Sequence, residues 1–158
     1  MLKPACPYKE QLEKLFASII YDDEYFFYSG YSHSHGLPKI ELLDNIYQWV
    51  IVNNDDKVIG YFAYQISPET DTAMNFGLYS FDRGNPLIGY DVYHKMVELI
   101  SKHRRIEWRM IDGNPVVRAY DHFCKKFSGN KVILHKVTKD NSGIYRDEHI
   151  YEILNGGR

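Results

Sequence analysis

The stretch Tyr79-Ser80-Phe81-Asp82-Arg83-Gly84-Asn85-Pro86-Leu87-Ile88-Gly89-Tyr90-Asp91-Val92 carries the residue types best suited to chemistry. A β run ending at Phe81 breaks at a polar, glycine-bearing turn and restarts at Pro86 as an amphipathic helix. A strand that feeds a helix N-terminus leaves several backbone N–H groups unpaired and aims the positive end of the helix dipole at one spot. That arrangement can cradle a phosphate or pyrophosphate without a metal. Elsewhere, His33 and His35 lack a third ligand at a workable spacing, so no metal site is expected. Cys6 and Cys124 have neither CxxC nor disulfide-framework spacing and read as free thiols in a reducing compartment. The run Lys102-His103-Arg104-Arg105 falls at a helix end, where cations favour the dipole.

The periodicity of the chain predicts the elements that hold this turn. Leu2 to Ala5 reads as a short strand. From Pro7 a helix follows, with Leu12, Leu15, Phe16 and Ile19 on one face. Asp22-Asp23-Glu24 resembles a second helix start that dissolves into a loop through Gly30, Ser32, Ser34 and Gly36 up to Pro38. Residues 47–52, 58–66 and 72–81 alternate as strands joined by the turns Asn53–Asp56 and Ser67–Asp71, an antiparallel meander. A helix of about five turns runs from Pro86 to near His103. A strand over 106–111 then stops at Asp112-Gly113-Asn114-Pro115, where Asn caps and Pro opens another helix. Residues 131–137 and 144–154 form a final hairpin around Lys139–Gly143.

Composition bounds the function. The chain has 158 residues, a formal net charge of −2 and charged residues at 25%. That length suits one domain spanning 1–158. The charge balance gives no nucleic-acid footprint, and no stretch reaches membrane-spanning length, so neither nucleic acid nor membrane is an expected partner. A cytoplasmic protein is expected, since no leader pattern opens the chain. Tyrosine is abundant, with 14 residues in the chain, many of them crowded between Tyr21 and Tyr47, as suits a pocket wall or a partner surface. The exposed aromatics permit a homodimer without requiring one.

The order of elements, with the glycine-bearing turn after the fourth strand, resembles the GNAT superfamily of acyl-CoA-dependent N-acyltransferases. Leu2–Pro7 leading into Glu10–Leu15 resembles the first strand and helix of that family. Asn114 followed by an aromatic helix and a hairpin ending Tyr151-Glu152-Ile153-Leu154 resembles its C-terminal half. The resemblance implies an α+β fold: a mixed, mostly antiparallel twisted sheet of six to seven strands flanked by four helices. It also implies that the fourth and fifth strands splay apart around acetyl-CoA as cosubstrate, with no metal.

On that resemblance the cofactor would meet Leu78, Tyr79, Phe81, Arg83, Gly84, Asn85, Leu87, Ile88, Gly89 and Asn114. A backbone N–H of Leu78, Tyr79 or Phe81 would reach the thioester oxygen. The sequence departs from the family's pyrophosphate motif. Arg83 matches its first position, but Pro86 and Ile88 stand where small residues belong, and Pro86 has no N–H to donate. The amides of Leu87, Ile88 and Gly89 would remain for the phosphates. The catalytic tyrosine of many relatives falls on Asp121 here, with Tyr120 one residue earlier and about 100° round the helix. Tyr120 is the candidate acid for the leaving thiolate, with a core role as its alternative. For the base, Asp71, Glu69 and Glu107 stay open. The acceptor would sit in the segment 21–35, against Tyr28 and Tyr31, where acids and aromatics favour a cationic amine.

The function expected is transfer of an acetyl group from acetyl-CoA to a primary amine of a small molecule or peptide, by direct attack. The alternative is a non-catalytic domain of the same fold that binds a ligand or a protein partner.

Overall fold

The computed structural model describes residues 1–22, Tyr25, Phe27 and 38–155. Strand β1 (Leu2–Pro4) leads through a 3-10 turn (Cys6–Tyr8) into helix α1 (Lys9–Ile19). Strands β2 (Ile46–Val52), β3 (Val58–Ser67) and β4 (Thr72–Ser80) follow. Then come α2 (Pro86–Lys102), β5 (Arg105–Ile111), α3 (Val117–Lys126), β6 (Asn130–Lys139) and β7 (Tyr145–Leu154). All seven strands share one sheet in the order β1-β2-β3-β4-β5-β7-β6. Every pairing is antiparallel except β4 with β5. That parallel step follows from the chain between them, since only a crossover such as α2 returns a strand in the same direction.

The expected α+β architecture is present, with seven strands. Among the described residues there are three α-helices, not four. The helix expected from Asp22 falls largely outside the described residues. Two starts also move. Pro7 sits in the 3-10 turn, so α1 opens at Lys9. Asn114 closes a turn ahead of α3, its Oδ1 accepting from the Val116 N–H at 3.1 Å, and the helix itself starts at Val117.

Strand alternation divides the core between the two faces of the sheet. On one face Phe62, Ala73, Ile106, Trp108, Met110, Tyr151 and Ile153 pack under Ile88, Val92, Met96 and Leu99 of α2 and Phe123 of α3. On the other, Leu12 and Phe16 of α1 cover Val50, Val52, Val58, Tyr61, Ala63 and Tyr79. These side chains are almost fully withdrawn from solvent. Each such burial is worth about 1.5–3 kcal/mol against exposure. The α2–α3 layer covers both β4 and β5, while the α1 layer covers β2 to β4.

No helix of the described residues is long and apolar enough to cross a membrane. Cys6 is an exposed free thiol and Cys124 a buried one.

Candidate functional site

β4 and β5 are paired only at Thr72↔Arg105 and Ala73↔Ile106. Beyond those pairs β4 continues to Ser80 and β5 to Ile111 without joining, so the sheet opens into a wedge. Two local features build it. At the vertex, Asp71 accepts from His103 Nδ1 at 2.8 Å and from the Arg104 N–H at 2.9 Å. Its carbonyl also accepts from the Arg105 N–H at 3.2 Å. Immediately past the last pair, Asn75 has φ +53° and the β3–β4 register shifts, so Asn75 and Phe76 oppose Tyr64 alone. This is a β-bulge, and it turns β4 away from β5. Asn is among the few side chains that accept a left-handed backbone, and Asn75 Nδ2 is further held by Gln65 Oε1 at 2.9 Å.

The backbone facing the wedge follows from ladder arithmetic. The Phe81 N–H donates to Ile59 O at 2.9 Å, which fixes the phase of β4 against β3. Bonding alternates along an antiparallel strand, so Tyr79 is committed to β3, whereas Leu78 and Ser80 present their N–H groups to the gap. On the far side, Asn155 donates to Arg104 O and Asp112 to Asp147 O, each at 2.8 Å. The even positions of β5 are therefore joined to β7, and Glu107, Arg109 and Ile111 turn their backbones to the wedge.

A cavity of about 310 Å³ fills the open end. Leu78 and Ser80 form one wall, with Arg83, Gly84, Asn85, Ile88 and Gly89 above them. Phe27, Asn114, Pro115, Val116 and Tyr120 close the other side. Gly84 has φ +79°, and a Cβ placed on Gly84 or Gly89 would meet nothing within 4 Å. Both glycines thus offer bare backbone to an incoming group. The Arg83 guanidinium stands over the turn, 3.3 Å from Asp22 Oδ2. Asn114 Nδ2 donates to Phe27 O at 2.7 Å and thereby sets that ring in the cavity wall.

The helix terminus is less open than the sequence implies. Asn85 is the N-cap of α2, and its Oδ1 accepts from the Leu87 N–H at 3.1 Å. The Ile88 N–H reaches Asn85 O at 3.3 Å. The amides of Leu87 and Ile88, expected to await a phosphate, are therefore engaged within the turn. Two other expectations are corrected. Tyr79 and Phe81 are committed to β3, and their rings pack on Phe16 at 5.1 and 5.5 Å, on the α1 face. Leu87 lies outside the cavity lining and is partly exposed.

The ambiguity between positions 120 and 121 resolves by direction. Asp121 turns away from the cavity, its Oδ1 accepting from Tyr151 Oη and Lys131 Nζ, both at 2.7 Å. Burial works against its charge, but these hydrogen bonds hold the Asp121 carboxyl below its usual range. With α3 so tethered, Tyr120 faces the cavity. Its ring meets Trp108 edge-on at 5.9 Å, and burial pushes its hydroxyl up to about 12, so it stays protonated at neutral pH. Tyr120 thus lines the cavity while packing on the core.

Of the candidate bases, Asp71 is the vertex clamp and Glu69 is bound to Ser67 Oγ at 3.2 Å in the β3–β4 turn. Glu107 lies on the opened part of β5, held by Arg105 at 2.7 Å and Arg109 at 3.3 Å. Burial raises the Cys124 thiol, which opposes a nucleophilic role. Among the described residues no group of three or more His, Cys, Asp or Glu is arranged to hold a metal. Tyr28, Tyr31, His33 and His35 lie outside the described residues.

Sequence reasoning missed Ser80, Phe27, Pro115 and Val116. For Ser80 the signal was present: it shares a strand face with Leu78, so any argument for one includes the other. Phe27 had no such signal, since its place depends on the Asn114 amide far along the chain.

No family model and no curated protein matches the sequence. Solved structures match it over nearly its whole length. A protein from Chromobacterium violaceum assigned to the GNAT-family acetyltransferases has a TM-score of 0.62 at 19% identity, covering 98% of this chain and 82% of that one. The spermidine/spermine N-acetyltransferase SpeG from Vibrio cholerae has a TM-score of 0.59 at 16% identity, covering 92% and 74%. A protein assigned as a phosphinothricin N-acetyltransferase has a TM-score of 0.68 at 11% identity, covering 99% of both chains. What these structures share with the chain is the fold, and it is the GNAT fold.

Proposed function

We propose that the protein is an N-acetyltransferase that binds acetyl-CoA in the β4–β5 wedge and transfers the acetyl group to a primary amine. The observation that carries this reading is the wedge itself. Two parallel strands part after Ala73 and Ile106, and each turns unpaired backbone toward the space between them. An extended pantetheine arm carries amides of its own and would complete that backbone as an added strand does. The donor set fits such a ligand. Arg83 and the bare backbone at Gly84 and Gly89 suit the diphosphate. Leu78, Ser80, Val116 and Tyr120 suit the arm.

In this reading the thioester carbonyl oxygen gains negative charge as the amine nitrogen attacks, and the Leu78 N–H is the donor aimed into the gap. The bond to sulfur breaks as the bond to nitrogen forms. Tyr120, a phenol lining the cavity and protonated at neutral pH, supplies the proton to the departing sulfur. Glu107, on the opened part of β5 beside Arg105 and Arg109, is the candidate to receive the amine proton, directly or through water. The acceptor is a small-molecule or peptide amine. The structural neighbours named for spermidine and spermine and for phosphinothricin support an amine acceptor without selecting one.

One observation favours a second reading, a non-catalytic binding domain of this fold. Asn85 and Pro86 together remove amides that a diphosphate would use. A thermal-shift titration separates the two readings. Acetyl-CoA at ten times its dissociation constant is expected to stabilise the fold by about 1.4 kcal/mol. Release of free thiol in the presence of a panel of primary amines should then follow. The absence of any shift at millimolar acetyl-CoA removes the enzymatic reading.

A further inference from the structure

The first turns of α2 carry aromatic rings that the acyl-transfer reading leaves without a role. Tyr90 is 62% exposed. Its centroid lies 4.3 Å from the ring of His94, one helical turn on. Tyr93 stands edge-on to His94 at 5.5 Å and edge-on to Phe123 of α3 at 5.5 Å. Lys126 Nζ donates to Tyr93 Oη at 2.6 Å, which sets a positive charge at the foot of the cluster. Asp91, next to Tyr90 in sequence, is turned to the Met1 amino group.

Gly89 joins this cluster to the cavity. It lines the cavity, and a Cβ there would meet nothing within 4 Å. The helix surface is therefore bare at Gly89, between the Arg83–Gly84 turn and the exposed ring of Tyr90, which is tilted 55° against His94. A ligand whose phosphates rest at Arg83 and Gly84 and which continues outward must pass over that bare surface. A planar heterocycle can stack on an exposed tyrosine whatever its hydrogen-bonding edge, and the positive foot at Lys126 favours a phosphorylated nucleoside over a neutral ring.

We propose that Tyr90, backed by His94 and Tyr93, is the base-stacking subsite of the cavity and takes the adenine of an adenine nucleotide joined to the bound thioester. The subsite rests on the reading of the wedge as an acetyl-CoA site, and it adds to that reading where affinity comes from. The capped terminus of α2 offers few amides to the diphosphate, and the stacked base supplies the hold that those amides do not.

The test uses the whole chain and two probes, coenzyme A and 4′-phosphopantetheine, which lacks the nucleotide. Dissociation constants are measured by calorimetry for the wild type, Tyr90→Ala and Tyr90→Phe. Tyr90→Ala is expected to weaken coenzyme A about tenfold and leave 4′-phosphopantetheine unchanged, while Tyr90→Phe keeps both. Equal losses for the two probes, or no loss for either, overturn the subsite with the acetyl-CoA reading intact. A wild type that binds neither probe overturns both together. Because Tyr90 is largely exposed, far-UV circular dichroism should be identical across the three proteins.

Discussion

At the residue scale the decisive contrast is between neighbours on α3. Tyr120 and Asp121 differ by one position, and the helix directs one at the cavity and the other at β6 and β7. The sequence left this open because helical spacing places both near the apolar stripe. The choice is made by Tyr151 and Lys131, both distant in the chain, whose hydrogen bonds hold Asp121 outward. Tyr120→Phe keeps the ring against Trp108 and removes only the hydroxyl. Its turnover number should fall by about a hundredfold or more, with the KM for acetyl-CoA unchanged, as for loss of one positioned acid. Steady-state thiol release measures both constants. An unchanged turnover number would return Tyr120 to a packing role alone.

At the scale of elements the wedge depends on a clamp and a bulge. The meander, the α2 crossover and the final hairpin were all legible in period-2 and period-3.6 patterns, with turn residues between them. The bulge was not, because nothing in Thr72–Ser80 marks Asn75 as left-handed until the β3 register is known. Replacing Asn75 by Val places a β-branched side chain at φ +53° and should cost about 1–2 kcal/mol against Asn75→Gly in urea unfolding. Equal stabilities for Val and Gly would show that the backbone there is not left-handed.

The clamp makes a prediction about pH. The hydrogen bond from His103, and that from the Arg104 amide, lower the Asp71 carboxyl relative to its ordinary value. A carboxyl lowered in the fold stabilises it above the unfolded value, near 3.9, and loses that contribution as pH falls through its folded value. The difference in urea midpoint between the wild type and Asp71→Ala should therefore shrink as pH falls below about 4. A difference that is undiminished at about pH 3 would contradict the assignment of Asp71 to the clamp.

For the whole molecule, the seven-stranded sheet serves to hold two strand ends apart. Helix α1 fixes the β2–β4 meander from one face, and α2 with α3 fixes both sides of the wedge from the other. The sheet architecture was readable because most elements announce themselves locally and their order resembles that of the GNAT superfamily. The site was readable only in part. Leu78, Arg83, Gly84, Asn85, Ile88, Gly89, Asn114 and Tyr120 do converge on one cavity. Tyr79, Phe81 and Leu87 do not, because strand alternation and helix phase carry them elsewhere. The engaged amide at Leu87 was hidden for a similar reason: Asn85 acts as the N-cap of α2 and accepts from it.

Residue-resolved amide hydrogen exchange on β4 tests the wedge most directly. Without ligand, the amides of Leu78 and Ser80 should exchange quickly, while those of Tyr79 and Phe81 are protected by β3. Saturating acetyl-CoA should slow Leu78 and Ser80 and leave Tyr79 and Phe81 as they were. Four amides equally protected in the free protein, and indifferent to the thioester, would mean that β4 is closed against β5 and that no cosubstrate enters between them.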